Sequence, residues 1–182
     1  MYMLENLPIA GAKLLSLKRL SDTRGWFSET FKQSWISSLE IPNDFIFEFW
    51  SFNKQAGTLR GLHSQSGNMV PGKLVQVLSG SIQDIIVDAR LNSPTYGQHI
   101  SIVITADDPK LIYIPRGCYH GFVTLTDDTY VGYKVDQYHS AEKECGVSWN
   151  DSTLNIDWQI KDNLIISNRD QNNPLWDQAI KF

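Results

Sequence analysis

The chain has 182 residues, of which 42% are hydrophobic and 20% charged, with a net charge of −4. It is long and apolar enough to bury a sizeable core, which excludes a disordered chain, and it has no basic block to meet a phosphate backbone, which argues against nucleic acid as a partner. Cys118 and Cys145 form no CxxC pair, residues 1–13 lack the basic-then-apolar pattern of a secretory leader, and no apolar run approaches ~20 residues, so the expectation is a cytoplasmic domain without a membrane partner.

In chain order, residues 14–20 are predicted as a strand. Residues 31–39 follow as the one amphipathic helix, with Phe31, Trp35, Ile36 and Leu39 at helical spacing. An aromatic-rich strand is expected over 45–52 and a strand-like stretch over Thr58–Gln65. Short runs rich in Val, Ile and Tyr come next, at 73–78, 82–87, 99–104, 111–114, 122–125 and 130–135. They are separated by Gly80, Asn92-Ser93-Pro94, Asp107-Asp108-Pro109 and Asp127-Asp128. Short strands at this spacing predict an all-β antiparallel sandwich or barrel whose interior can hold a small ligand. Residues 151–182 are polar with scattered tryptophans and read as loops or short helices packed on the sheet. With no repeat and no linker, a single domain over 1–182 is expected.

Several polar residues stand in these strands. His63 follows Arg60 in Thr58–Gln65; histidine is the usual general base near neutral pH, and the competing reading is an ordinary hydrogen-bonded histidine. Lys73 opens the next strand, where it is either a strand-end charge or, pointing inward, a cation for an oxyanion. Tyr133, in an alternating run, reads by itself as a strand aromatic and Asp170 as a solvated loop acid, and neither decides anything alone. Pro115-Arg116-Gly117-Cys118-Tyr119-His120 fits the last histidine element of metal-binding cupins. However, His63 lacks an H-x-H partner, and His99 and His139 have no ligand spacing to it. Zinc and iron sites take three or more protein ligands, so a metal-dependent cupin stays as an alternative without its full ligand set. No Gly-rich dinucleotide fingerprint is present.

Ordered motifs cover nearly the whole chain. They are Asp22-Thr23-Arg24-Gly25-Trp26-Phe27-Ser28-Glu29, Leu59-Arg60-Gly61-Leu62-His63-Ser64-Gln65, Gly72-Lys73-Leu74-Val75, Val87-Asp88-Ala89-Arg90 with Ser93-Pro94-Thr95-Tyr96-Gly97, Ile114-Pro115-Arg116-Gly117 through His120-Gly121-Phe122, Tyr133-Lys134, Ser148-Trp149-Asn150-Asp151, Ile156-Asp157-Trp158 and Ile166-Ser167-Asn168-Arg169-Asp170. In order and spacing the chain resembles the dTDP-4-dehydrorhamnose 3,5-epimerase family. The resemblance implies a cupin-like double-stranded β-helix (jelly roll) with a few short helices, a homodimer, and no metal or other cofactor. It further implies a nucleotide-diphosphate 4-keto-6-deoxysugar as substrate, epimerised at carbon 3, carbon 5 or both by deprotonation and reprotonation, as in dTDP-L-rhamnose biosynthesis.

By the same resemblance His63 is the base, Asp170 the acid that orients it, Tyr133 the proton donor on the opposite face, and Lys73 the group near the keto oxygen. Arg24, Glu29, Arg60, His120, Tyr138, His139, Glu144 and Arg169 fall at substrate-binding positions, some of the N-terminal ones reaching the ligand of the partner subunit. The chain departs from the family pattern at Ser64, at Phe47-Glu48-Phe49 and at Tyr138-His139. These departures leave the nucleotide base (dTDP, CDP, GDP or UDP) and the epimerised carbon open. A non-catalytic sugar-nucleotide binding module is the alternative from another class.

Overall fold

The computed structural model describes residues 2–39, 41 and 44–182. Two antiparallel sheets face one another. The first has the order β1 (Tyr2–Asn6), β2 (Lys13–Leu17), β10 (Lys110–Ile114), β7 (Lys73–Ser79), β12 (Thr129–Val135) and β5 (Phe47–Asn53). The second has the order β13 (Glu144–Gly146), β6 (Thr58–Gln65), β11 (Cys118–Thr124), β8 (Ser81–Asp88) and β9 (His99–Thr105). A two-residue strand, β14 (Ile165–Ile166), lies parallel to β6. The hairpin of β3 (Leu20–Asp22) and β4 (Gly25–Phe27) stands apart from both sheets. This is the expected jelly roll.

Strand alternation produces three apolar layers. Val75, Val77, Ile82, Ile86, Ile112, Ile114, Phe122 and Val131 point between the sheets. Leu59, Leu62, Ile85, Val87, Tyr119 and Val123 point out of the second sheet, under Trp158 and Trp176 of the C-terminal segment. Leu15, Leu17, Leu74, Leu111 and Tyr113 point out of the first sheet, under Ile36 of the helix α1 (Gln33–Ser38). The central strands are covered on both faces, which is why they read as nearly continuous apolar runs.

The elements differ from expectation in particular places. The strand expected over 14–20 breaks after Leu17, because Lys18-Arg19 interrupts the apolar run and the exposed hairpin begins at Leu20. The strand expected over 122–125 begins at Cys118, directly after Gly117, whose positive φ of 83° makes the turn. The helix expected over 31–39 is only Gln33–Ser38, although Phe31 still packs on the same layer. The strands β1, β3, β4, β13 and β14 and the short helix α2 (Asn168–Gln171) carry too few buried residues to leave a period in the sequence.

Candidate active site

One cavity of about 360 Å³ opens between the two sheets. His63, Arg60, Gln65 and His120 line it from the second sheet; Lys73, Tyr133, Val135, Phe47, Phe49 and Ser51 line it from the first. His139 and Glu144 stand at its rim.

A backbone irregularity in β6 brings Arg60 and His63 to the same cavity. Strict alternation would send residues three apart to opposite faces. The register against β11 shifts between His120↔His63 and Phe122↔Arg60, a β-bulge. Gly61 allows it, with φ of 119° and its Cα crowded against β11: a methyl there would lie 2.6 Å from Gly121 Cα and 2.8 Å from His120 O. The bulge leaves Leu59 and Leu62 pointing outward and both polar side chains facing in.

His63 Nε2 lies 2.5 Å from Asp170 Oδ1, and the Gly61 N–H donates to Asp170 Oδ2 at 3.2 Å. Asp170 is buried on α2, where the Ser167 hydroxyl caps the helix by accepting from the Asp170 N–H. Burial alone would raise the Asp170 carboxyl, but its hydrogen bonds with His63, Gly61 and Ser167 outweigh that and hold it below the usual range. A carboxylate accepting Nε2–H leaves Nδ1 of His63 as a free lone pair, the tautomer a base requires.

Tyr133 faces inward from the opposite sheet, between Phe49 and Val75 on the neighbouring strands. Its ring stacks on Phe49, with centroids 4.7 Å apart. Burial raises its hydroxyl well above the ordinary phenol value, partly offset by Ser51 beside it. The phenol therefore holds its proton at neutral pH and is poised as a donor.

Lys73 Nζ donates to His63 O at 3.3 Å. Desolvation lowers it to about 8, against the pull of Asp84. Asp84 sits on β8 between the inward-facing Ile82 and Ile86, and its Oδ1 is 2.7 Å from His120 Nε2. Burial lowers His120, Asp84 opposing. A neutral His120 that donates Nε2–H to Asp84 keeps only an acceptor on Nδ1, suited to a ligand hydroxyl. The ammonium at Lys73 is then the group in this pair able to meet an oxyanion. Since Lys73 is protonated only below about 8, turnover that uses its charge should decline as pH rises through that value. Initial rates from pH 6 to 9.5 should show this alkaline limb, and Lys73→Met should lower the rate throughout and flatten it.

Arg60 is aimed by Asn53, whose Oδ1 accepts from Nε at 2.7 Å. Glu144 forms ion pairs with both Arg169 and, at 3.0 Å, His139. Tyr138 is exposed, with its ring 6.0 Å from Phe47; neither it nor Arg169 lines the cavity itself. Two expected positions are not brought in by this chain: Arg24 pairs with Asp22 on the exposed hairpin and Glu29 pairs with Lys32. Asp84 is hard to single out in the sequence, where its one signal is an acid in phase with Ile82 and Ile86. Among the described residues no three His, Cys, Asp or Glu side chains gather as metal ligands, and no helix is long and apolar enough to cross a membrane.

Imidazole and phenol entering one cavity from opposite sheets define a cupin-like protein equipped to move protons on a small ligand. Residues 6–178 match the dTDP-4-dehydrorhamnose 3,5-epimerase family, and the chain belongs to that family. The Sinorhizobium fredii dTDP-4-dehydrorhamnose 3,5-epimerase is 35% identical over 170 residues, 93% of this chain and 87% of that protein. The crystal structure of the Bacillus anthracis dTDP-4-dehydrorhamnose 3,5-epimerase, with TDP and PPi bound, aligns with a TM-score of 0.93 at 38% identity, covering 96% of this chain and 99% of that one. The Legionella pneumophila dTDP-6-deoxy-D-glucose-3,5-epimerase, in complex with dTDP-4-keto-L-rhamnose, aligns with a TM-score of 0.93 at 34% identity, covering 98% and 94%.

Proposed function

We propose that this chain epimerises dTDP-4-keto-6-deoxyglucose at carbons 3 and 5 to dTDP-4-keto-L-rhamnose, with His63 as base and Tyr133 as acid. The observation that carries the proposal is the placement of an Asp170-oriented imidazole and a buried phenol on opposite walls of one cavity, with Lys73 beside them. The keto group at carbon 4 acidifies its neighbours. His63 Nδ1 takes the proton from one of them, and the electron pair delocalises onto the keto oxygen, where the Lys73 ammonium stabilises the enolate. Tyr133 then gives its proton to the same carbon from the other face; the tyrosinate regains a proton from solvent and the His63 imidazolium releases one to it, so the centre inverts without hydride transfer. Arg60, His120, Glu144, Arg169, Tyr138 and His139 serve substrate binding, Arg60 facing the diphosphate and Tyr138 and His139, at the rim, facing the nucleotide base.

The active form in this reading is a homodimer. Arg24 and Glu29 stand off their own cavity, while the hairpin next to them exposes Trp26 and Phe27, and the outer face of the edge strand β5 exposes Trp50 and Phe52. Exposed aromatic surface of this kind favours a partner, and a second copy would bring the two charged residues to the site. The free thiols of Cys118 and Cys145 accord with a single-domain enzyme of the cytoplasm.

The test is NMR of dTDP-4-keto-6-deoxyglucose incubated with the protein in deuterated water. Deuterium should enter at carbons 3 and 5, with parallel incubations of CDP-, GDP- and UDP-linked analogues reporting the base preference. No wash-in with any of these nucleotides would end the proposal.

A further inference from the structure

Gln65, at the end of β6, is buried between two rim segments, residues 66–72 and 137–143. Its Nε2 donates to Met69 O at 3.0 Å and to Tyr138 O at 3.1 Å, and its Oε1 accepts from the Ser140 N–H at 2.6 Å. The partners fix the amide's orientation: two carbonyls and one N–H can be satisfied in this way only, since a flip would set oxygen against a carbonyl and nitrogen against a donor. Two of the three bonds bracket residue 139. The carbonyl before it and the N–H after it are both held by one side chain.

The held residues form the rim. His139 lines the cavity and reaches Glu144, which is itself paired with Gln65 in the β13–β6 register. Tyr138 leans on Phe47. Other backbone ties here are few: the Ser66 N–H donates to Lys143 O at 2.7 Å and the Lys143 N–H to Ser140 O at 3.0 Å. Neither holds residues 138 or 139. By contrast, His63 and Tyr133 are fixed by α2 and by the sheet, independently of these rim bonds.

We propose that Gln65 is a positioning residue: it locks the backbone around His139 so that Tyr138 and His139 are presented to the nucleotide part of the substrate, and it thereby governs binding rather than turnover. Which part of the ligand meets the rim rests on the functional reading above.

The experiment compares wild type with Gln65→Leu and with Gln65→Met, the unbranched variant that keeps the side-chain length if leucine fails to fold. Amide hydrogen exchange at Ser140, the affinity for dTDP alone by calorimetry, and KM and kcat are measured together. Ser140 should exchange at least about tenfold faster, and dTDP affinity and KM should weaken about tenfold, the effect of losing roughly one net buried hydrogen bond. The kcat value should stay within roughly twofold, and exchange in the barrel strands should be unchanged. Unchanged Ser140 exchange, unchanged dTDP affinity, or a fall in kcat at constant KM would overturn the assignment. Ser140 exchange and dTDP binding need no turnover, so a wild-type protein unable to epimerise would count against the functional reading and leave the clamp measurable.

Discussion

His63→Ala is expected to lower deuterium wash-in at carbons 3 and 5, and epimerisation with it, by about 10³–10⁴-fold, the upper range for removing a positioned general base. His120, a second imidazole lining the cavity, is buried and held by Asp84 from β8, in a different place from His63. Lys73 is protonated below about 8, and Tyr133 carries its proton at neutral pH. The variant should fold, because the His63 side chain is a third exposed and fills no part of the apolar layers. Asp170→Asn is the sharper companion. The amide can present an N–H to Nε2, which moves the ring proton to Nδ1 and blocks the lone pair the reaction needs. A loss of about 10²–10⁴-fold is expected with the cavity's shape intact. Wash-in above a tenth of the wild-type rate in His63→Ala would remove the imidazole from the role of base.

Tyr133→Phe should separate two rates that the wild type keeps close. In the proposed mechanism the variant should still deprotonate at His63, with the enolate against Lys73. Without a donor on the far wall, the proton returns mostly from the side it left. Solvent deuterium therefore enters with retention, and net inversion falls by about 10²–10³-fold while wash-in falls far less. The ring remains, so the stacking on Phe49 and the packing against Val75 survive, and loss of structure is not available as an explanation. NMR of the same sample reports both quantities: the integral lost at each carbon gives wash-in, and the product's ring couplings give inversion. Equal losses in both would mean that the phenol acts before or during deprotonation and not after it.

The outline of this molecule was legible because its central strands are covered on both faces, which puts apolar residues on both faces of strands such as Ile82–Val87. The same coverage hid Asp84, which occupies an inward position in that run with His120 as its partner. Arg60 and His63 could be named from their motif, but strict alternation places residues three apart on opposite faces. Only the bulge at Gly61, set by its close approach to Gly121, turns both inward. Gln65 sits in the same motif, but its task depends on partners in segments without any period. In a single copy Arg24 and Glu29 pair with Asp22 and Lys32, away from the cavity. A local sequence pattern places neither relative to a cavity built by other strands.

Asp170 meets His63 across 107 positions, and it arrives on the segment that wraps the outside of the second sheet. The site is therefore assembled from the middle of the chain and from near its end, and the later part is docked by an outer layer and the two-residue strand β14. On warming, the peripheral layer has less to lose than the sandwich beneath it, so catalytic power should vanish while the β-structure still persists.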